Sequence, residues 1–186
     1  MMARARRIAA RPLVLWGLAA FIQIGLILTT LGERLIVHAT GSEVTLALRP
    51  VDPRDLLRGD YVILNPQIGR VALDLARDTG EFRAGDEVWT VVEADDDGVS
   101  RAVEILRSPP QDGRRVFAGH VRSVWQDVVN IDYGLTAFYV PEGRGREIER
   151  LPGDTLRLVV ALTADGKSAP LRLVADGKTL LSESAF

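Results

Sequence analysis

From Leu13 to Leu31 the chain reads "LVLWGLAAFIQIGLILTTL", nineteen residues without a charge. At about 1.5 Å rise per residue, a helix of this stretch is roughly 28 Å long, close to the ~30 Å hydrocarbon core of a bilayer. A backbone crossing lipid must satisfy its own hydrogen bonds, and a single segment does so only as a helix. Gln23, Thr29 and Thr30 are polar but uncharged, and Trp16 lies one turn inside the basic end, where interfacial aromatics collect. Arg4, Arg6, Arg7 and Arg11 precede the stretch, and only Arg34, beside Glu33, closely follows it. That bias predicts a cytoplasmic amino end and a carboxyl-terminal part outside. The expected organisation is a basic cytoplasmic segment (1–12), a transmembrane signal-anchor helix (13–31), a connector (32–42) and an extracytoplasmic domain (43–186). The protein is thus expected in the cell (inner) membrane as a single-pass chain. A cleavable signal is the competing reading, with "VHA" at Val37 to Ala39 as its cleavage site. The apolar run is longer than the about 7–15 residues usual for a signal, and charged residues intervene before that site.

Every acidic residue lies beyond residue 31. Of 23 lysines and arginines, four precede the helix, so 19 remain against 25 acids. A phosphate backbone needs a clustered positive surface, so nucleic acid is not an expected partner. Without cysteine there is no disulfide, thiolate metal site or cysteine nucleophile. His38 and His120 are isolated, which argues against a histidine zinc site. "EADDDGVSRAVE", Glu93 to Glu104, has the spacing of a calcium loop. Its flanks, however, are β-branched and suit strands, so a hairpin tip is expected there. No metal and no cofactor is expected.

Beyond the helix the apolar period becomes two. "EVTLALRPV" sets Val44, Leu46 and Leu48 on one face, as a half-buried strand does. Similar runs begin at Val88, Ser100, Arg115, Val128, Ala137 and Thr155. Asp97-Gly98, Asp112-Gly113, Asp165-Gly166 and Asp176-Gly177 supply the positive φ angles of tight hairpins. The predicted fold is mainly β: an antiparallel barrel-like or sandwich domain with one amino-terminal transmembrane helix and one or two short helices. Those helices are expected at Gln67 to Arg77, where apolar residues follow an i, i+3, i+4, i+7 stripe, and around Arg146 to Leu151.

"RGDYVIL", "AGDEVWT" and "PGDTLRL" each set Gly-Asp before an alternating run. A glycine that permits unusual turn geometry and an aspartate that accepts local N–H bonds explain all three as strand-entry turns. The flank of the first is denser. "RPVDPRDLLRGDY" holds Arg49, Asp52, Arg54, Asp55, Arg58 and Asp60 with two prolines and Tyr61. A stiff ion-paired corner is one reading and a ligand cradle the other. Interleaved arginines depress carboxyl pKa values, which favours recognition over acid catalysis.

Gly59, Asp60, Tyr61, Val62, Ile63, Leu64 and Asn65 resemble the motif of the GDYXXLXY proteins, with Pro66 where the motif ends in tyrosine. "IDYGLTAFYVPEGRGREIE", Ile131 to Glu149, is similar to that family's second recurrent block. The resemblance implies a membrane-anchored chain of this length and supplies no reaction. In the second block Tyr139 and Glu142 can stack on and hydrogen-bond to a carbohydrate or peptide, while Phe138 and Val140 suit a core strand. The candidate binding residues are therefore Arg54, Asp55, Arg58, Asp60, Tyr61, Tyr139 and Glu142; no catalytic residue is assigned. The leading expectation is an anchored envelope module that takes a protein partner or a small ligand. An envelope hydrolase resembling signal peptidases is a second, although no serine is followed by a suitably placed lysine. An accessory subunit docking through Gly17, Ala20, Gln23 and Gly25 is a third.

Overall fold

The computed structural model describes residues 2–49, 61–77, 80–135, 137–139 and 155–182. Two compact units divide it, Met1–Ile36 and Val37–Phe186. The first is the bulk of helix α1, Met2–Thr40. Its segment Val14–Thr40 is long and apolar enough to cross a membrane. Val14, Trp16, Phe21, Ile22 and Leu26 are 63–75 % exposed, an apolar surface that water solvates poorly.

Most of the expected connector, 32–42, is helical. Helix continues to Thr40 and strand begins at Ser42, so Gly41 alone lies between them. No proline interrupts this stretch, and the Gly41 N–H closes the last turn on the Val37 carbonyl at 2.9 Å. A side chain at position 41 would meet that carbonyl at 2.6 Å, which explains the glycine.

The second unit is built of strands β1 (Ser42–Ala47), β2 (Tyr61–Ile63), β3 (Arg70–Ala72), β4 (Glu87–Ala94), β5 (Val99–Leu106) and β6 (Val116–Trp125). These are followed by β7 (Val128–Asp132), β8 (Ala137–Tyr139), β9 (Leu156–Leu162), β10 (Ser168–Ala175) and β11 (Lys178–Ser182). Nine of them form one open mixed sheet in the order β11-β10-β9-β1-β5-β4-β6-β7-β3; β2 and β8 pair separately. The mainly β expectation is met, and β1 with β5 is the one parallel ladder among the described residues. The Asp-Gly turns behave as their chemistry requires. Gly98, Gly113, Gly166 and Gly177 all have positive φ, and Asp176 joins Gly177 there at φ 49°, the double left-handed geometry of a two-residue hairpin.

A helix over Gln67 to Arg77 does not form. Two short 3-10 turns, Gln67–Gly69 and Leu73–Leu75, flank β3, whose Val71 pairs with Val129 of β7. The apolar stripe was real, but β-branched Val71 gains more from the open edge of β7 than from a helix. The second expected helix, Arg146 to Leu151, lies outside the described residues. The calcium-like loop is the tip of the β4–β5 hairpin. Its Asp95 accepts the N–H groups of Asp97 and Val99 at 3.1 and 2.9 Å and the Arg101 guanidinium at 3.0 Å.

One apolar core gathers side chains from both ends of the sheet order: Leu46, Ile105, Phe117, Val129, Leu158 and Leu173 are all 0 % exposed. The sheet must therefore curl. β4 occupies one edge of β5, so the other edge is left to β1 at Val99 and Ser100 and to an isolated parallel bridge between Ile105 and Ala76. That bridge returns the chain beyond β3 to β5, giving β3-β7-β6-β4-β5 a barrel-like closure. Gly166, at the β9–β10 turn, accepts the Ala118 N–H at 2.9 Å and so ties the rest of the sheet to β6.

Ile105→Ala is expected to cost about 2–5 kcal/mol, because it opens a cavity where the two halves of the sheet meet. The exposed control Thr179→Ala should stay within about 0.5 kcal/mol. Urea unfolding of the purified protein checks both, and similar small losses would contradict the shared core.

Candidate functional site

The strand that follows the Gly-Asp pair is β2, and its antiparallel partner is β8. Tyr61 stands opposite Tyr139, Val62 opposite Phe138 and Ile63 opposite Ala137. Two candidate positions some eighty residues apart in sequence are thus ladder neighbours. Arg54, Asp55, Arg58, Asp60 and Glu142 lie outside the described residues. The described Gly-Asp pair, Gly85-Asp86, is a turn of the expected kind. Gly85 has φ 94°, and Asp86 accepts the Arg83 N–H at 2.9 Å.

Immediately after β2 the chain turns into a cavity of about 270 Å³. Its walls come from Leu64, Asn65 and Pro66 of the first block, from Arg70 on β3 and Arg122 on β6, and from Asn130 to Tyr133 and Leu135 around the end of β7. Leu48 bridges Pro66, and the Arg49 N–H reaches the Asn65 carbonyl at 2.9 Å, so the residues just after β1 hold the first-block wall in place.

Tyr133 anchors the floor. Its ring meets Phe117 edge to face at a centroid distance of 5.7 Å. The hydroxyl donates to the Ile68 carbonyl at 3.1 Å and accepts from Thr90 Oγ1 at 2.6 Å. Burial pushes this phenol above its ordinary pKa, and the Thr90 contact offsets only part of that rise. Tyr133 is therefore a neutral structural member, not a proton carrier. Glycine is required at position 119 of β6, where a Cβ would lie 2.7 Å from the Tyr133 ring and 2.8 Å from the Asp132 carbonyl.

Charge lines the wall above it. The β6–β7 register shifts between Val121 and Ser123, so Arg122 is the extra residue of a bulge, a device that re-aims a side chain. Its Nε and Nη2 both reach Asp132 Oδ2, at 3.1 and 2.8 Å. Asp132 Oδ1 accepts the Gly134 N–H at 2.9 Å across a turn in which Gly134 has φ 74°. Burial raises the Asp132 carboxyl, but the Gly134 amide, Arg122 and the cross-strand His120 outweigh it and hold the group below the ordinary aspartate range. Arg70 stands opposite Asn130 in the β3–β7 ladder, and Asn130 Nδ2 donates to Ser123 Oγ at 3.0 Å.

A model of the GDYXXLXY protein family matches residues 23–173, a span holding the carboxyl-terminal part of the helix and both sequence blocks. The chain belongs to the GDYXXLXY family. No curated protein and no solved structure matches it. In this GDYXXLXY protein, the motif's leucine and the two residues after it form the cavity wall, and Pro66, in the place of the last motif tyrosine, is buried. Arg70, Arg122, Asn130 and Asp132 were missed by sequence reasoning. One signal was available for Arg122: "VRSV" spaces its valines three apart, breaking the period of two as a bulge does.

Because its folded pKa is depressed, Asp132 stabilises the fold above the unfolded value near pH 4, and this contribution is lost as pH falls through the folded pKa. Asp132→Asn should cost up to about 1 kcal/mol at neutral pH, and the cost should shrink as pH falls from about 4 toward about 2. Denaturant titrations of both proteins across that range check it; an equal loss at both ends would contradict the ion pair's role.

Proposed function

We propose that this GDYXXLXY protein is a single-pass membrane-anchored module of the cell envelope whose β domain lies outside the cytoplasm. There it binds a partner or small ligand where the two sequence blocks meet. The observation that carries this reading is the Tyr61 to Tyr139 ladder pairing beside a cavity walled by both blocks. A purely structural turn needs no such convergence. The exposed apolar helix surface and the arginine bias before it support the anchor and its direction. Recognition is favoured over catalysis: Asp132 is committed to Arg122 and Gly134, and Tyr133 is held neutral in the interior, so neither is poised to move a proton near pH 7.

The chain lacks cysteine, so single reporter thiols can be introduced cleanly. Asn65→Cys on the cavity wall and Thr179→Cys on β11 are both exposed positions. With a membrane-impermeant maleimide on intact cells, both should react, and Asn65→Cys should react several-fold more slowly than in the purified protein while Thr179→Cys does not. Labelling only after the cells are opened would overturn the topology. Identical ratios at the two positions would overturn the binding face.

A further inference from the structure

The cavity charge runs against that of the domain. Among the described residues, Arg70 and Arg122 face it with one carboxylate, Asp132, which leaves one guanidinium charge of that set uncompensated. The residues beyond the apolar stretch, by contrast, carry 19 bases against 25 acids. Arg70 makes no ion pair or side-chain hydrogen bond among the described residues. Arg122 uses Nε and Nη2 on Asp132, which leaves the Nη1 donors uncommitted. Asn65 adds a side-chain amide to the wall, and Leu64, Pro66, Ile131 and Leu135 supply apolar surface beside these donors.

We propose that this cavity binds a small carboxylate, its head against Arg70 and the free edge of Arg122 and a short branched apolar body against Leu64 and Leu135. This rests on the reading of the two-block face as a binding surface and names its ligand class. Three considerations select that class. A volume of about 270 Å³ falls just below the ~300 Å³ at which drug-sized sites begin, so the ligand is small. One excess positive charge is cancelled by a monoanion, whereas a phosphate monoester brings about −1.5 to −2 and leaves negative charge unmatched. A planar guanidinium fork presents paired N–H donors that fit a carboxylate. Asp132, already held by Arg122 and Gly134, fixes the direction of Arg122 without occupying the remaining donors.

The test uses the full chain in detergent micelles near pH 7, with binding followed by ligand-observed NMR titration. The probes are 4-methylpentanoate as a free acid and N-acetyl-Ala-Ala-Leu as a peptide carboxyl terminus. Their uncharged amides and 3-methylbutyl phosphate serve as comparisons. At least one carboxylate should saturate, with its amide and the phosphate ester each about tenfold weaker or worse. The tighter carboxylate identifies the source, free acid or chain terminus. Arg70→Gln should weaken binding about tenfold, the weight of one charge-assisted hydrogen bond. Asn130→Asp, which adds a negative charge to the wall, should weaken it as well; thermal melts establish that both variants fold. Binding of amide and acid alike, preference for the phosphate ester, indifference to Arg70→Gln, or no saturable binding would overturn the proposal. If Asn65→Cys remains shielded in native membranes while the carboxylates fail, the module reading stands and only the ligand class falls.

Discussion

A strand has two edges, and the whole β domain follows from how those of β5 are shared. β4 takes one edge throughout, while β1 and Ala76 divide the other. With both edges filled, the strands on either side of β5 curl toward a common interior. Ile105 sits at the junction, fully buried, paired with Thr90 across one ladder and with Ala76 across the other. One apolar core then serves nine strands, and the surface it leaves free is where β7 ends and the first sequence block returns.

That surface combines rigidity with uncommitted charge. Tyr133, Thr90 and Phe117 lock the floor from inside, so the Ile131 to Leu135 segment has little freedom. The bulge at Arg122 lifts a guanidinium out of the regular alternation and clamps it on Asp132. A wall ordered in this way would lower the ordering cost of the binding proposed for it. The family motif contributes on the opposite side. Its Gly-Asp pair precedes strand entry, and its later residues, Leu64 to Pro66, face the cavity.

Legibility in the sequence tracked how local each cause was. The apolar helix, the period-two strands and the Asp-Gly turns depend on neighbouring residues, and each was readable. Gln67 to Arg77 was misread because a helical stripe and a β-branched edge strand compete, and only the distant partner β7 decides between them. The helix runs beyond the apolar stretch because nothing between Leu31 and Gly41 forces a stop. Tyr61 and Tyr139 were singled out separately, but their register needed tertiary structure. Arg70 fell within the expected helix, and Asn130 and Asp132 lay in an ordinary alternating run; a cavity formed by cross-strand neighbours leaves no trace in one-dimensional spacing.

The central claim is that the two sequence blocks form one face, with position 61 opposite position 139. Opposed residues in an antiparallel ladder have Cα atoms about 4.5–5.5 Å apart, within disulfide reach, whereas a diagonal neighbour two positions along lies beyond about 7 Å. Tyr61→Cys with Tyr139→Cys, oxidised under mild conditions in the otherwise cysteine-free chain, should close an intramolecular bridge readily, and Tyr61→Cys with Ala137→Cys should not. A bridge formed equally well by the second pair, or by neither, would contradict the account.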